Sequence, residues 1–118
     1  MFITYEVARE LCHCVHRLTP SIHRHDRDLA DQAHRAATSV VLNLAEGARM
    51  TAGNQRRHYE IAHGSANELR AAIDLAIAWK WIEEPDEVLE LLDREMALLW
   101  KLTHPKKPAP RAARRSVR

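Results

Sequence analysis

The sequence predicts an all-α protein, an up-down bundle of four helices. Apolar residues recur at steps of three and four in four separate stretches, the period of one buried helix face. Helix breakers are few, with three glycines and five prolines, most of the prolines near the end. With 46% hydrophobic and 29% charged residues, a chain of 118 residues suits one domain with a packed core and a soluble surface.

The first helix is expected over about residues 4–18. Val7, Leu11, Cys14 or Val15, and Leu18 form its stripe, and Thr19-Pro20-Ser21 breaks the pattern. The second is expected over about 27–47, on Leu29, Ala33, Ala36, Val40 and Leu44, with Gly47 as its stop and 48–53 as the connection. The third is expected over about 54–82, on Ala62, Ala66, Leu69, Ile73, Ala76 and Ile77. The fourth begins after Glu83-Glu84-Pro85 and runs to about 103 on Val88, Leu92, Met96 and Leu99. Pro85 suits a first helical turn, and the acids beside it suit a positive helix end. Short links favour antiparallel neighbours.

Pro105, Pro108 and Pro110 end the helical pattern. The expected division is a bundle at 1–104 and a disordered basic tail at 105–118. The net charge of +2 conceals an asymmetry. Residues 104–118 carry six basic groups and no acid, whereas 1–103 carry 12 basic and 16 acidic residues.

No apolar run approaches the roughly 20 residues that span a bilayer. The first residues meet an acid at Glu6 and lack the pattern of a secretory signal. Cys12 and Cys14 would point about 200° apart on a helix, so no disulfide joins them. Reduced thiols and a cytoplasmic location are the expectation.

The two middle helices each carry a second face that mixes polar and aliphatic groups. Arg35, Ser39, Asn43 and Glu46 follow at steps of four, four and three, within about 80° of one another. Gly64, Ser65 and Glu68 share a column on the third helix, with Ile61, Ala72 and Leu75 around it. Gly64 costs about 1 kcal/mol against Ala in a helix, a cost that close approach by another helix would offset. The expectation is a shielded polar network, with Arg35 pairing Glu68 or Glu46 and Asn43 bonding Ser65.

Those segments resemble a known family. Arg35-Ala-Ala-Thr-Ser-Val-Val-Leu-Asn-Leu-Ala-Glu-Gly47 and Tyr59-Glu-Ile-Ala-His-Gly-Ser-Ala-Asn-Glu-Leu69 look like the paired motifs of the four-helix bundle proteins of 23S ribosomal RNA intervening sequences. That family is similar in turn to the accessory variability proteins of diversity-generating retroelements. The resemblance spans about residues 5–103. It implies a bundle assembling into a ring-like homopentamer, with Arg35, Ser39, Asn43, Glu46, Gly47, Gly64, Ser65 and Glu68 as structural residues. In the retroelement branch it also implies a basic barrel that binds nucleic acid and a reverse transcriptase. The acidic body of this chain departs from that barrel.

Two basic clusters are the candidates for phosphate contact. One is Arg49, Arg56 and Arg57, with His58, near the second connection. The other is the tail, with Lys106, Lys107, Arg111, Arg114 and Arg115. Arg and Lys on phosphates give salt-sensitive affinity without sequence preference. No aromatic platform for stacking bases is visible, so non-specific RNA or DNA binding is expected.

Catalysis and metal binding find little support. Cys12 and His16 could supply only two ligands of the four that zinc needs. An Arg followed by His, as in some helical ribonucleases, occurs five times, including Arg57 with His63, which is too frequent to point anywhere. Asp86, Glu87, Glu90, Asp93 and Glu95 read as a solvated charged surface. The expectation is a non-catalytic oligomeric scaffold with no cofactor and no membrane contact. The alternatives are a protein-interaction adaptor without nucleic acid, and a ribonuclease using an Arg-His pair.

Overall fold

The computed structural model describes residues 2–105. Four helices follow in order: α1 (Ile3–His23), α2 (Arg27–Ala48), α3 (Ala52–Ala78) and α4 (Asp86–Thr103). No strand occurs among the described residues, and no helix there is long and apolar enough to cross a membrane. The helices pack in a cycle, α1 on α2, α2 on α3, α3 on α4 and α4 on α1. Cross-helix bonds fix the antiparallel sense. Ser39 meets Ser65, and four residues on along α2, Asn43 meets His58 further back along α3.

α1 runs one turn beyond its expected end, straight through Pro20. Proline has no N–H to give the carbonyl one turn back. The His16 carbonyl accepts instead from the Thr19 hydroxyl at 3.2 Å. Ile22, beyond the proline, is fully buried, so packing holds the extra turn.

Asp26 caps α2, its Oδ1 accepting from the Leu29 N–H at 2.9 Å. Gly47 does not stop this helix. It lies inside the last turn, and its carbonyl accepts from the Met50 N–H.

α3 starts two residues before its expected start and ends four residues before its expected end. Lys80 adopts a left-handed backbone, with φ 63°. The Lys80 N–H bonds the Ile77 carbonyl and the Trp81 N–H bonds the Ala76 carbonyl, both at 2.9 Å, which closes the helix. Trp81 and Ile82 extend the apolar spacing of the sequence, but they pack on the core from the turn. Pro85 stands just before α4, and its carbonyl accepts from the Leu89 N–H at 3.0 Å.

The interior falls into two clusters. One surrounds Leu11, Ile22, Leu69, Ile73 and Leu92, toward the α3–α4 turn. The other surrounds Ala8, Val40, Leu44, Tyr59 and Leu99, toward the α2–α3 turn. Of the expected stripes, Leu18, Ile77 and Met96 are only half-buried. The acids of α4 are not all solvated. Glu95 is fully buried, while Asp86, Glu87, Glu90 and Asp93 are exposed.

A left-handed backbone disfavours any residue with a Cβ. Lys80→Gly should therefore stabilise the bundle by about 1 kcal/mol in urea denaturation. A loss of stability would contradict the turn described here.

Candidate interaction surface on helices two and three

The α2–α3 contact begins with a missing side chain. A Cβ on Gly47 would lie 2.7 Å from Tyr59 Cε1 and 2.9 Å from Cδ1. Tyr59 is buried among Ala8, Val40, Leu44 and Leu99, so its ring has little room to yield. Glycine thus costs helix propensity here, and the close crossing offsets it. Gln55 adds a strap, its Nε2 donating to the Gly47 carbonyl at 3.1 Å.

A polar chain continues along the same contact. Asn43 Nδ2 donates to the Ser39 carbonyl at 2.9 Å and to Ser39 Oγ at 3.1 Å. Ser39 Oγ and Ser65 Oγ are 2.7 Å apart across the helices. Asn43 Oδ1 accepts from His58 Nδ1 at 3.0 Å. With this amide orientation, His58 carries its proton on Nδ1. Ser65 is buried, and Ser39, Asn43 and His58 are half-buried. Asn43 therefore reaches Ser65 through Ser39 and not directly.

The charged members of the expected network lie elsewhere. Arg35, Glu46 and Glu68 are exposed, and Arg35 pairs with neither acid. Long charged side chains reach water from these positions and avoid the desolvation of a buried pair. Gly64 is also exposed, with nothing within 4 Å of the place its Cβ would occupy.

Gly64 belongs instead to an outer ridge of α3. Ile61, Gly64, Glu68, Ala71, Leu75 and Ala78 follow at alternating steps of three and four, and all are exposed. Ile61 is 42% and Leu75 49% exposed, high for large aliphatic groups. The spacing is that of a coiled-coil seam, with glycine and alanine at every second position. On another side, α1 and α2 enclose a groove lined by Arg9, Cys12, His13, Thr38, Val41 and Leu42, with Leu42 61% exposed. Burial raises the thiol pKa of both Cys12 and Cys14, so neither is an activated thiolate.

Charge is divided between the two ends of the bundle. Arg49, Arg56 and Arg57 are exposed at the α2–α3 end, where Lys101 of α4 also lies. Arg56 pairs with Glu60 at 3.0 Å, a weak pair at this exposure. His58 turns inward to Asn43 and does not join them. Lys106, Lys107, Arg111, Arg114 and Arg115 lie outside the described residues. The opposite end carries Glu83, Glu84, Asp86, Glu87 and Glu90, with Arg24, Arg27 and Lys80 among them.

Aromatic rings from two turns meet at that end. Trp81 stacks on His25 at 5.4 Å and on Trp79 at 6.0 Å. The stack ties the α1–α2 turn to the α3–α4 turn, at the other end from Arg49, Arg56 and Arg57.

The sequence profile described as 23S rRNA-intervening sequence protein matches residues 2–101. The chain belongs to that family. The intervening-sequence protein also resembles a crystal structure from Bacteroides thetaiotaomicron, a protein of unknown function from the S23 ribosomal protein family. The TM-score is 0.77 at 17% identity, covering 86% of this chain and 98% of that one. At that identity the likeness speaks for the fold. No curated protein matches the chain significantly.

Sequence reasoning missed His58, Gln55 and Tyr59 as parts of this contact. Gly47 reads as a helix stop in the sequence, and the close approach expected at Gly64 occurs at Gly47 instead. The serine pair gives a direct test. Ser39→Ala and Ser65→Ala should each cost about 1 kcal/mol, and the double variant clearly less than the sum. Strict additivity in urea denaturation would mean that the two hydroxyls do not interact.

Proposed function

We propose that this intervening-sequence protein is a non-catalytic, cytoplasmic homo-oligomeric scaffold that holds nucleic acid on its basic end. The observation that carries this reading is the uncovered α3 ridge. Small residues at Gly64, Ala71 and Ala78 would let a second helix approach closely, and Ile61 and Leu75 would leave water. The groove around Leu42 is a different surface, so a ridge seated in a neighbour's groove makes a head-to-tail contact. Such contacts form a ring when the rotation between copies closes, and a ring of five is what the family resemblance implies. All copies in a ring share one sense, so Arg49, Arg56 and Arg57 would repeat around one rim. α4 ends at that side of the bundle, and the six basic residues of the sequence beyond it would add to the same charge. A reverse transcriptase is a partner proposed by analogy with the retroelement branch alone.

A ribonuclease reading has one observation in its favour. Arg56, His63 and His104 line one groove between α3 and α4. In that reading His63→Ala abolishes RNA cleavage, and RNA left intact by clean protein ends it. An adaptor without nucleic acid would assemble equally well but carry no ultraviolet excess.

Light scattering after size exclusion should give a mass of several protomers, with pentamer as the expected state. Gly64→Leu should reduce it to monomer while leaving the helical circular dichroism intact. Protein purified at low salt should retain nucleic acid, released by moderate salt, and Arg49, Arg56 and Arg57 changed together to Gln should retain less. A wild-type monomer would remove the scaffold, and a salt-independent or absent nucleic-acid signal would remove the ligand.

A further inference from the structure

Glu95 differs from every other acid among the described residues. Its side chain has 0% exposure, and neither carboxyl oxygen has a hydrogen-bond partner. It lies one turn from Leu92 and one turn from Leu99 on the same face of α4. Those leucines belong to different apolar clusters, so the carboxyl sits at the waist where the two halves of the core meet.

A charge at such a site needs a partner, and none is in place. Arg94, its neighbour in the chain, is the one charge whose field favours the ionised carboxylate. Arg94 lines a surface groove beside Glu6, Arg9, Glu10 and His13 of α1. On α3, Arg70 is turned to Asp74 and Asp93, and His63 lines the groove beside His104. Burial pushes the Glu95 carboxyl up to about 8, with Arg94 opposing the shift.

We propose that Glu95 is a proton-controlled latch, which lets α4 close onto α1 and α3 when protonated and frees α4 locally when it ionises. α4 is suited to such motion. It packs chiefly on α1 and α3, and one turn joins it to the rest of the bundle.

The direction follows from proton linkage. Below the ordinary glutamate range, closed and open forms both carry the proton, and pH has no effect. Above it, only the open form ionises, so the closed form loses ground as pH rises. The loss ends near pH 8, where the closed form ionises too. Across that window the opening equilibrium grows about tenfold per pH unit.

Hydrogen exchange of α4 amides in the full chain, corrected for intrinsic rates, reads this directly between pH 5.5 and 9. The wild type should show the tenfold slope up to about pH 8, and Glu95→Gln should show none. An equal slope in both proteins, or a flat wild type, overturns the latch. If Glu95→Gln fails to fold, Glu95→Leu fills the same apolar site, and a persisting slope there overturns it equally. Infrared spectra at neutral pH should contain a protonated carboxyl band that the variant lacks. Its absence from the wild type overturns the proposal.

Discussion

Gly47 lets the ring of Tyr59 lie against the α2 backbone, and that contact sets where α3 crosses α2. From there the register runs along the helices through Asn43, Ser39 and Ser65, which can bond as they do only at this stagger. An apolar contact alone tolerates sliding by a turn. A chain of hydroxyls and an amide does not, because each shifted register leaves a shielded group without a partner. The polar chain therefore contributes less to stability than to the choice of one arrangement.

Once α2 and α3 are locked, the remaining surfaces follow. The faces of α3 used for α2 and α4 are taken, and the ridge from Ile61 to Ala78 stays uncovered beside exposed Glu60, Asn67 and Asp74. The α2–α3 turn brings Arg49 next to Arg56 and Arg57, while the α3–α4 turn gathers acids at the far end. Each end of the bundle thus gathers one sign of charge among some charges of the other, Glu46 and Glu60 beside the arginines and Arg24, Arg27 and Lys80 beside the acids.

The four helices were legible because their apolar residues keep a period that only burial explains. Errors came where local chemistry overrode a rule. Pro20 does not end α1, since Thr19 satisfies the orphaned carbonyl and Ile22 is held by the core. Trp81 and Ile82 suggested more helix, although Lys80 had already turned the chain. The second face of α2 was readable for Ser39 and Asn43 but not for Arg35 and Glu46. Short polar groups can be matched inside a contact, whereas long charged ones at neighbouring angles escape to water. Glu95 was illegible among the acids around it. Its place one turn from Leu92 and from Leu99 was the only hint, and charge outweighed it.

The most direct test of the central contact is nuclear magnetic resonance of its exchangeable protons. The account predicts slowly exchanging Asn43 carboxamide protons with cross-peaks to the hydroxyls of Ser39 and Ser65, and a neighbouring His58 Nδ1 proton. Carboxamide protons averaged with water, with no cross-peak to either serine, would contradict it.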